Sequence, residues 1–254
     1  MPILLKTVAD IAKMRASGRV VADVHARLRE LIQPGVTTAE LDQAAVEIIA
    51  AAGGAASFLG YYGYPASICA SINDVVVHGI PGPTVLRDGD IISVDVGVVL
   101  NGFHADAAFT QAVGEIDAES QRLIEVTEAA FWRGVEALTP GGRLGDMAAV
   151  IQRFVEGEGF GVVRDFAGHG VGRSMHEDPS VPNWGKPGTG SVVRNGMTLA
   201  IEPMVTTGSP EVRQLDDGWT VVTQDGGRAA HYEHTVAVSD GKRLILTALD
   251  EVVI

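Results

Sequence analysis

ISVDVGVVLNGFHADAAF, residues 92–109, is the stretch on which the fold turns. Asn101-Gly102 is the strongest short-range signal for a two-residue hairpin, because both residues tolerate the left-handed backbone such a turn needs. A turn there pairs Leu100 with Phe103, Gly97 with Asp106 and Asp95 with Ala108. Side chains alternate along a strand, so Asp95, Gly97 and Asp106 share one face. Asp106 is then the diagonal neighbour of Asp95, about 7–8 Å away between backbones. Gly97 and Ala108 leave open space beside the carboxylates, which predicts a small acidic cup. The surrounding Val, Ile, Leu and Phe ask for burial, and a buried carboxylate is costly unless paired, hydrogen-bonded or bound to a cation. Taken alone, the hairpin fits two aspartates on a solvated face equally well.

Copies elsewhere in the chain break that tie. LRDGDIISVD (86–95) lies over VRNGMTLAIE (193–202), HADAAFTQAVGE (104–115) over HYEHTVAVSDGK (231–242), and HGIP (78–81) over HEDP (176–179). The helical segments repeat as well. A capping-box pattern at Thr7 and Asp10 opens a run in which Ile11, Met14, Val21, Val24, Leu28 and Leu31 keep helical spacing, and Pro34-Gly35 stops it. TTAELDQAAVEIIAAAGG follows as a second helix ended by glycine. The same helix, Pro-Gly, helix, Gly order recurs over residues 122–160. The expected fold is α+β, one domain over 1–254 made of two pseudo-twofold halves, roughly 1–118 and 119–254.

If the halves pack across their sheets, Asp95 faces its copy Glu202 and Asp106 faces its copy Glu233. Four anions together in a core repel strongly, and either take up protons or bind cations. GHGVGRSMHEDP (168–179) adds His169 and His176, and its glycines predict a loop. A lone histidine is more often a core or surface residue than a ligand; one beside four carboxylates is a better candidate. His169 has no counterpart, since Ser71 stands at the aligned position, whereas His78 and His176 are copies. That difference suggests one asymmetric ligand and a symmetric pair contacting the reacting groups. Four carboxylates and one imidazole carry too much negative charge for one divalent ion and suit two ions about 3.5–4 Å apart. An oxygen-rich set with one imidazole fits Mn, Fe, Co or Zn better than thiol-bound zinc.

Composition narrows the classes further. A chain of 254 residues with 46% hydrophobic content builds a sizeable core. It holds no apolar run of about 18 residues, so no membrane span is expected. Its single cysteine, Cys69, permits no internal disulfide and points to a reducing compartment, the cytoplasm. A net charge of −13 argues against nucleic-acid binding. HExxH, paired CxxC, P-loop and Gly-x-Ser-x-Gly motifs do not occur.

GYYGYPASICASINDVVVHGIP, VDVGVVLNGFHADAA, FAGHGVGRSMHEDP, AIEPMV and HYEHTVAV together resemble the type I methionine aminopeptidases of bacteria, over nearly the whole chain. The resemblance implies the pita-bread fold, a central antiparallel sheet covered by helices, and removal of the N-terminal methionine from nascent polypeptides whose second residue is small. It implies Asp95, Asp106, His169, Glu202 and Glu233 as ligands of two divalent ions, Asp106 and Glu233 bridging them, and a metal-activated water attacking the first peptide bond. His78 and His176 are the implied substrate-contacting catalytic histidines, and Glu202 the implied proton shuttle. Tyr61, Tyr64, Cys69, Met175 and Trp219 occupy the family's methionine-pocket positions. Phe58, also lining that pocket, stands where many relatives have cysteine. Met175 stands where many have phenylalanine, and Tyr62 replaces a common histidine at the mouth. The implied protein is a cytoplasmic monomer whose partners are nascent N-termini, with a transient ribosome contact.

Two rival readings share the fold. Proline-directed peptidases usually carry an additional N-terminal domain, whereas here the pattern begins almost at the first residue. Type II relatives carry an insertion between the last two carboxylates, where only 30 residues separate Glu202 from Glu233. A non-catalytic binding protein on this fold typically loses ligands, and all five stand. The chain itself begins Met1-Pro2, a start in the permitted class, so loss of its own Met1 is expected.

Overall fold

A computed structural model describes residues 2–254; Met1, with the expectation attached to it, lies outside the described residues. Helix α1 (Val8–Leu31) opens on the expected box: the Thr7 hydroxyl accepts from the Asp10 amide at 3.2 Å, and the Asp10 carboxylate accepts from the Thr7 amide at 3.1 Å. Helix α2 (Thr38–Ala51) repeats the device with Thr37 and Glu40. Strands β1 (Ile68–Ile72), β2 (Ile91–Leu100) and β3 (Phe103–Ala112) follow. The β2–β3 hairpin has the expected register, with Gly97 opposite Asp106 and Asp95 opposite Ala108. Asn101 and Gly102 turn it at φ 55° and 76°.

The second half supplies helices α3 (Ala118–Ala137) and α4 (Leu144–Gly157), then strands β4 (Gly168–Gly170), β5 (Glu177–Val181), β6 (Thr198–Ile201) and β7 (Glu233–Ser239). All these strands join one antiparallel sheet, in which β2, β3, β7, β6, β4 and β5 are successive neighbours and β1 pairs with the outer side of β2. The order is symmetric about the β3–β7 seam, since β3 and β7 are sequence copies and so are β2 and the β6 segment. This corrects one expectation. The halves do not stack face to face; they join edge to edge through Glu233 opposite Ala108 and His234 opposite Ala107. Edge pairing satisfies the backbone groups of both seam strands and leaves one continuous sheet.

Strand parity then divides the sheet. Val94, Val96, Ala107 and Phe109 pack under α1 and α2, while Leu199, Ile201, Val236 and Val238 pack under α3 and α4. The opposite parity, Asp95, Asp106 and Glu233, is left for the other face. A second correction concerns His169, which sits on strand β4 and not in a loop. Its flanking glycines serve close approach of backbones. A Cβ on Gly168 would lie 2.2 Å from the Ala200 carbonyl oxygen, and one on Gly170 2.3 Å from that of Asp178.

Candidate active site

The uncovered sheet face forms the floor of a cavity of about 620 Å³, its open mouth included. All thirteen expected site residues line it: Asp95, Asp106, His169, Glu202 and Glu233; His78 and His176; and Phe58, Tyr61, Tyr64, Cys69, Met175 and Trp219. Asp106 comes from β3, Glu233 from the start of β7, His169 from β4 and Glu202 from the residue after β6. Ligand atoms of Asp106, His169 and Glu233 lie within 4.8 Å of one another. His169 Nε2 is 3.5 Å from Asp106 Oδ2 and 3.7 Å from Glu202 Oε1.

The charge state of this cluster answers whether it suits a cation. Burial, and secondarily neighbouring Asp106, push the carboxyls of Asp95 and Glu202 well above the usual range, and Glu233 is raised for the same first two reasons. Asp106 is pushed up to about 6 by burial, against the hydrogen bond from Thr235. His169 Nδ1 faces the Gly170 carbonyl at 2.9 Å, and a carbonyl only accepts, so Nδ1 carries the proton. Burial holds the ring neutral, which leaves the Nε2 lone pair aimed at the carboxylates. Asp95 Oδ1 is shut from solvent with no hydrogen-bond partner. Acceptors facing acceptors in a buried cluster fit divalent cations well.

Beside the cluster the wall turns apolar. Cys69 pairs in register with Asp95, and its thiol is pushed well above its usual value by burial first and Asp95 second, so it stays protonated. Tyr64 donates to the carbonyls of Ile68 and Gly79, each at 3.0 Å, and its ring meets Trp219 edge-on with centroids 5.1 Å apart. Phe58 corrects the expectation of open space at Gly97. A Cβ there would lie 2.8 Å from the Phe58 ring, so the missing side chain makes room for an aromatic wall and the cup is narrower than expected.

His78 and His176 both line the cavity. His78 has φ 60° and lies edge-on to Phe166 and Trp219. Burial lowers both His78 and His176 to about 4, so both are neutral. His176 Nδ1 is 2.7 Å from the Tyr61 hydroxyl, with the rings stacked. Glu177 beside it forms an ion pair with Lys6 in which both side chains are less than a tenth exposed, tying this loop to the N-terminal segment. Tyr62, 85% exposed, lies edge-on to Tyr61 with ring centroids 4.7 Å apart.

A model of metallopeptidase family M24 matches residues 12–240. The chain belongs to the M24 metallopeptidases. Family M24 membership makes it a metal-dependent peptidase, in agreement with the charge state of the cluster. Among M24 relatives, a methionine aminopeptidase of Clostridium perfringens is 52% identical over 97% of this chain and 99% of its own length. The crystal structure of a methionine aminopeptidase from Thermotoga maritima superposes with a TM-score of 0.96 at 46% identity, covering 97% of this chain and 100% of the other. Prolidase from Pyrococcus furiosus, at 19% identity and a TM-score of 0.76, covers 97% of this chain and 66% of its own, and shares the pita-bread fold.

One residue of the site escaped sequence reading. His231 is 2% exposed, with Nε2 3.7 Å from Glu202 Oε2 and 3.9 Å from Glu233 Oε2. A signal was present, because the repeat places His104 two residues before Asp106 and His231 two residues before Glu233.

Proposed function

We propose that this chain removes the N-terminal methionine from polypeptides with a small second residue, as a single catalytic domain whose halves are roughly 1–118 and 119–254. The observation that carries this reading is one cavity in which a Tyr64–Cys69–Trp219 pocket opens directly onto the Asp106–His169–Glu233 cluster. A thioether seeks such soft aromatic contacts. Relatives named methionine aminopeptidases, about half identical over nearly full length, support the same substrate.

Asp95, Asp106, His169, Glu202 and Glu233 would hold two divalent ions, of Co, Mn, Fe or Zn, with Asp106 and Glu233 shared. Bound there, the ions supply Lewis acidity and an acidified water as nucleophile. Glu202 takes up a proton and returns it to the departing amine, a role suited to a carboxyl whose proton affinity burial has raised. His176 donates from Nε2–H to the carbonyl oxygen as it gains charge. For a neutral ring this requires Nδ1 to accept, which makes the Tyr61 O–H the donor in their 2.7 Å contact. His78 contacts the backbone nitrogen of the cleaved bond. Asp95 lies toward the apolar pocket, where the free amino group of the first residue ends, and this favours an exopeptidase.

No helix among the described residues is long and apolar enough to cross a membrane. A monomer working in the cytoplasm on nascent chains, with a transient ribosome contact, completes the proposal. The deciding experiment compares Met-Gly-Met with Ala-Pro peptides on protein loaded with each metal in turn. Cleavage of the first alone is expected; preference for Ala-Pro would move the chain to the proline-directed branch of the fold.

A further inference from the structure

His231 Nε2 is closed off from solvent and meets no hydrogen-bond partner. It lies between two acceptors, Glu202 Oε2 at 3.7 Å and Glu233 Oε2 at 3.9 Å. Both exceed the roughly 2.7–3.2 Å of an N–H···O bond by little enough for a small carboxylate rotation to close the gap. His25 also has a buried Nε2 without a partner, but its ring lies against Phe109, and two other histidines near the site look different. The adjacent His234 has Nδ1 2.8 Å from the Thr247 hydroxyl and Nε2 3.2 Å from the Tyr232 hydroxyl. His104, at the matching position of the first half, spends Nδ1 on the Ser57 hydroxyl at 2.9 Å. His231 therefore has an unspent ring nitrogen aimed at carboxylates, on the half that supplies Glu202 and Glu233.

We infer that His231 is a positioning residue: its Nε2–H donates to Glu202 and fixes which oxygen of that carboxylate faces the metal centre, with Glu233 within reach of the same nitrogen. An ionised carboxylate only accepts, so a donor held at Oε2 orients the group and turns Oε1, the oxygen nearer His169, toward the cation. The Glu202 backbone is already held by Asn183, which donates to its carbonyl at 3.0 Å, and His231 adds the control of the side chain. Donors behind metal ligands set ligand orientation, and removing one typically lowers metal affinity by about 10–100-fold. This assignment rests on the metal-centre reading.

The test is cobalt titration of metal-free protein by calorimetry, with the visible cobalt spectrum as a second readout. Wild type is compared with His231→Leu and His231→Gln, the latter carrying an amide N–H to nearly the same place. Leucine should weaken cobalt binding about 10–100-fold and alter the spectrum, while glutamine restores both to near the wild-type values. If the leucine variant does not fold, His231→Asn replaces it, since its shorter amide stops short of Glu202 and should bind as weakly as leucine was expected to. Wild-type affinity in the variants without a reaching donor overturns the inference, as does glutamine binding as weakly as they do, which would make the role one of packing. No cobalt uptake by wild type overturns the metal centre itself, and is read before any variant is compared.

Discussion

On the proposed reading, the Tyr61 hydroxyl donates to His176 Nδ1 and leaves Nε2–H for the substrate. Tyr61→Phe keeps the stacked ring and removes only that bond, whose net worth of about 0.5–1.5 kcal/mol corresponds to a kcat lowered about 2- to 10-fold. Steady-state kinetics should show the loss in kcat with KM little changed. His176→Ala removes the donor itself and should lower kcat by about 10²–10³ with bound metal intact. Metal content falling in step with activity would instead make His176 a ligand. If Asp106 is a metal ligand as proposed, Asp106→Asn should leave less bound metal by elemental analysis and turnover should nearly vanish; a chelated wild type retaining full activity would refute the metal requirement outright. The residues that line the cavity were largely legible at this scale because four carboxylates and the His78 and His176 pair recur in copied contexts, with His169 the one uncopied member. His231 was not, since a histidine inside a strand reads as core until its neighbours are known. Phe58 against Gly97 was missed for a related reason: a glycine signals room, but the sequence does not say what fills it.

Among elements, the seat of α1 on the sheet carries an acid-sensitive weakness. His25 of α1 lies edge-on to Phe109 of β3 with centroids 4.7 Å apart, and its Nε2 is buried without a partner. Burial, then the Arg29 charge, lower its pKa well below 6.5 in the folded chain. The unfolded chain therefore binds more protons below about pH 6.5, so this group's contribution to stability falls as pH drops through that value. Buried His234, lowered to about 3, adds to the same limb. His25→Leu should narrow the drop in melting temperature between pH 8 and pH 5, whatever it does to the absolute value, and an unchanged pH dependence would show that His25 is not part of the acid limb. The hairpin around Asn101-Gly102 was readable to the register because turn chemistry fixes strand pairing. The strand at His169 was not, because Gly168 and Gly170 serve close contacts made by strands distant in sequence.

Across the whole molecule, duplication was visible in the order of motifs, while the docking of the halves was not: a repeat gives correspondences and leaves open whether copies stack or join edges. Joining at the β3–β7 seam places the candidate ligands of both halves on one face, in one cavity with the aromatic wall of Phe58, Tyr64 and Trp219. That shape predicts which chains are cut. On the proposed reading a methionine side chain fills the Tyr64–Cys69–Trp219 pocket, and the second residue sits over the cluster beside His78 and His176. Forcing extra methylenes into packed space costs typically about 1–3 kcal/mol, which is about one to two decades in rate. Second residues of the Gly, Ala, Ser, Thr, Cys, Pro and Val class should pass. A panel of Met-Ala, Met-Pro, Met-Leu and Met-Lys peptides should show the first two cleaved and the last two slower by that factor. The effect should appear in kcat/KM, since exclusion acts on every state in which the second residue is seated. Phe58→Ala enlarges the methionine pocket without touching His78 or His176, so it should relax selectivity for the first residue and leave the Met-Ala over Met-Lys ratio alone. Comparable cleavage of Met-Lys and Met-Ala by wild type would mean that the cavity admits long side chains at the second position, and that size there is not what it reads.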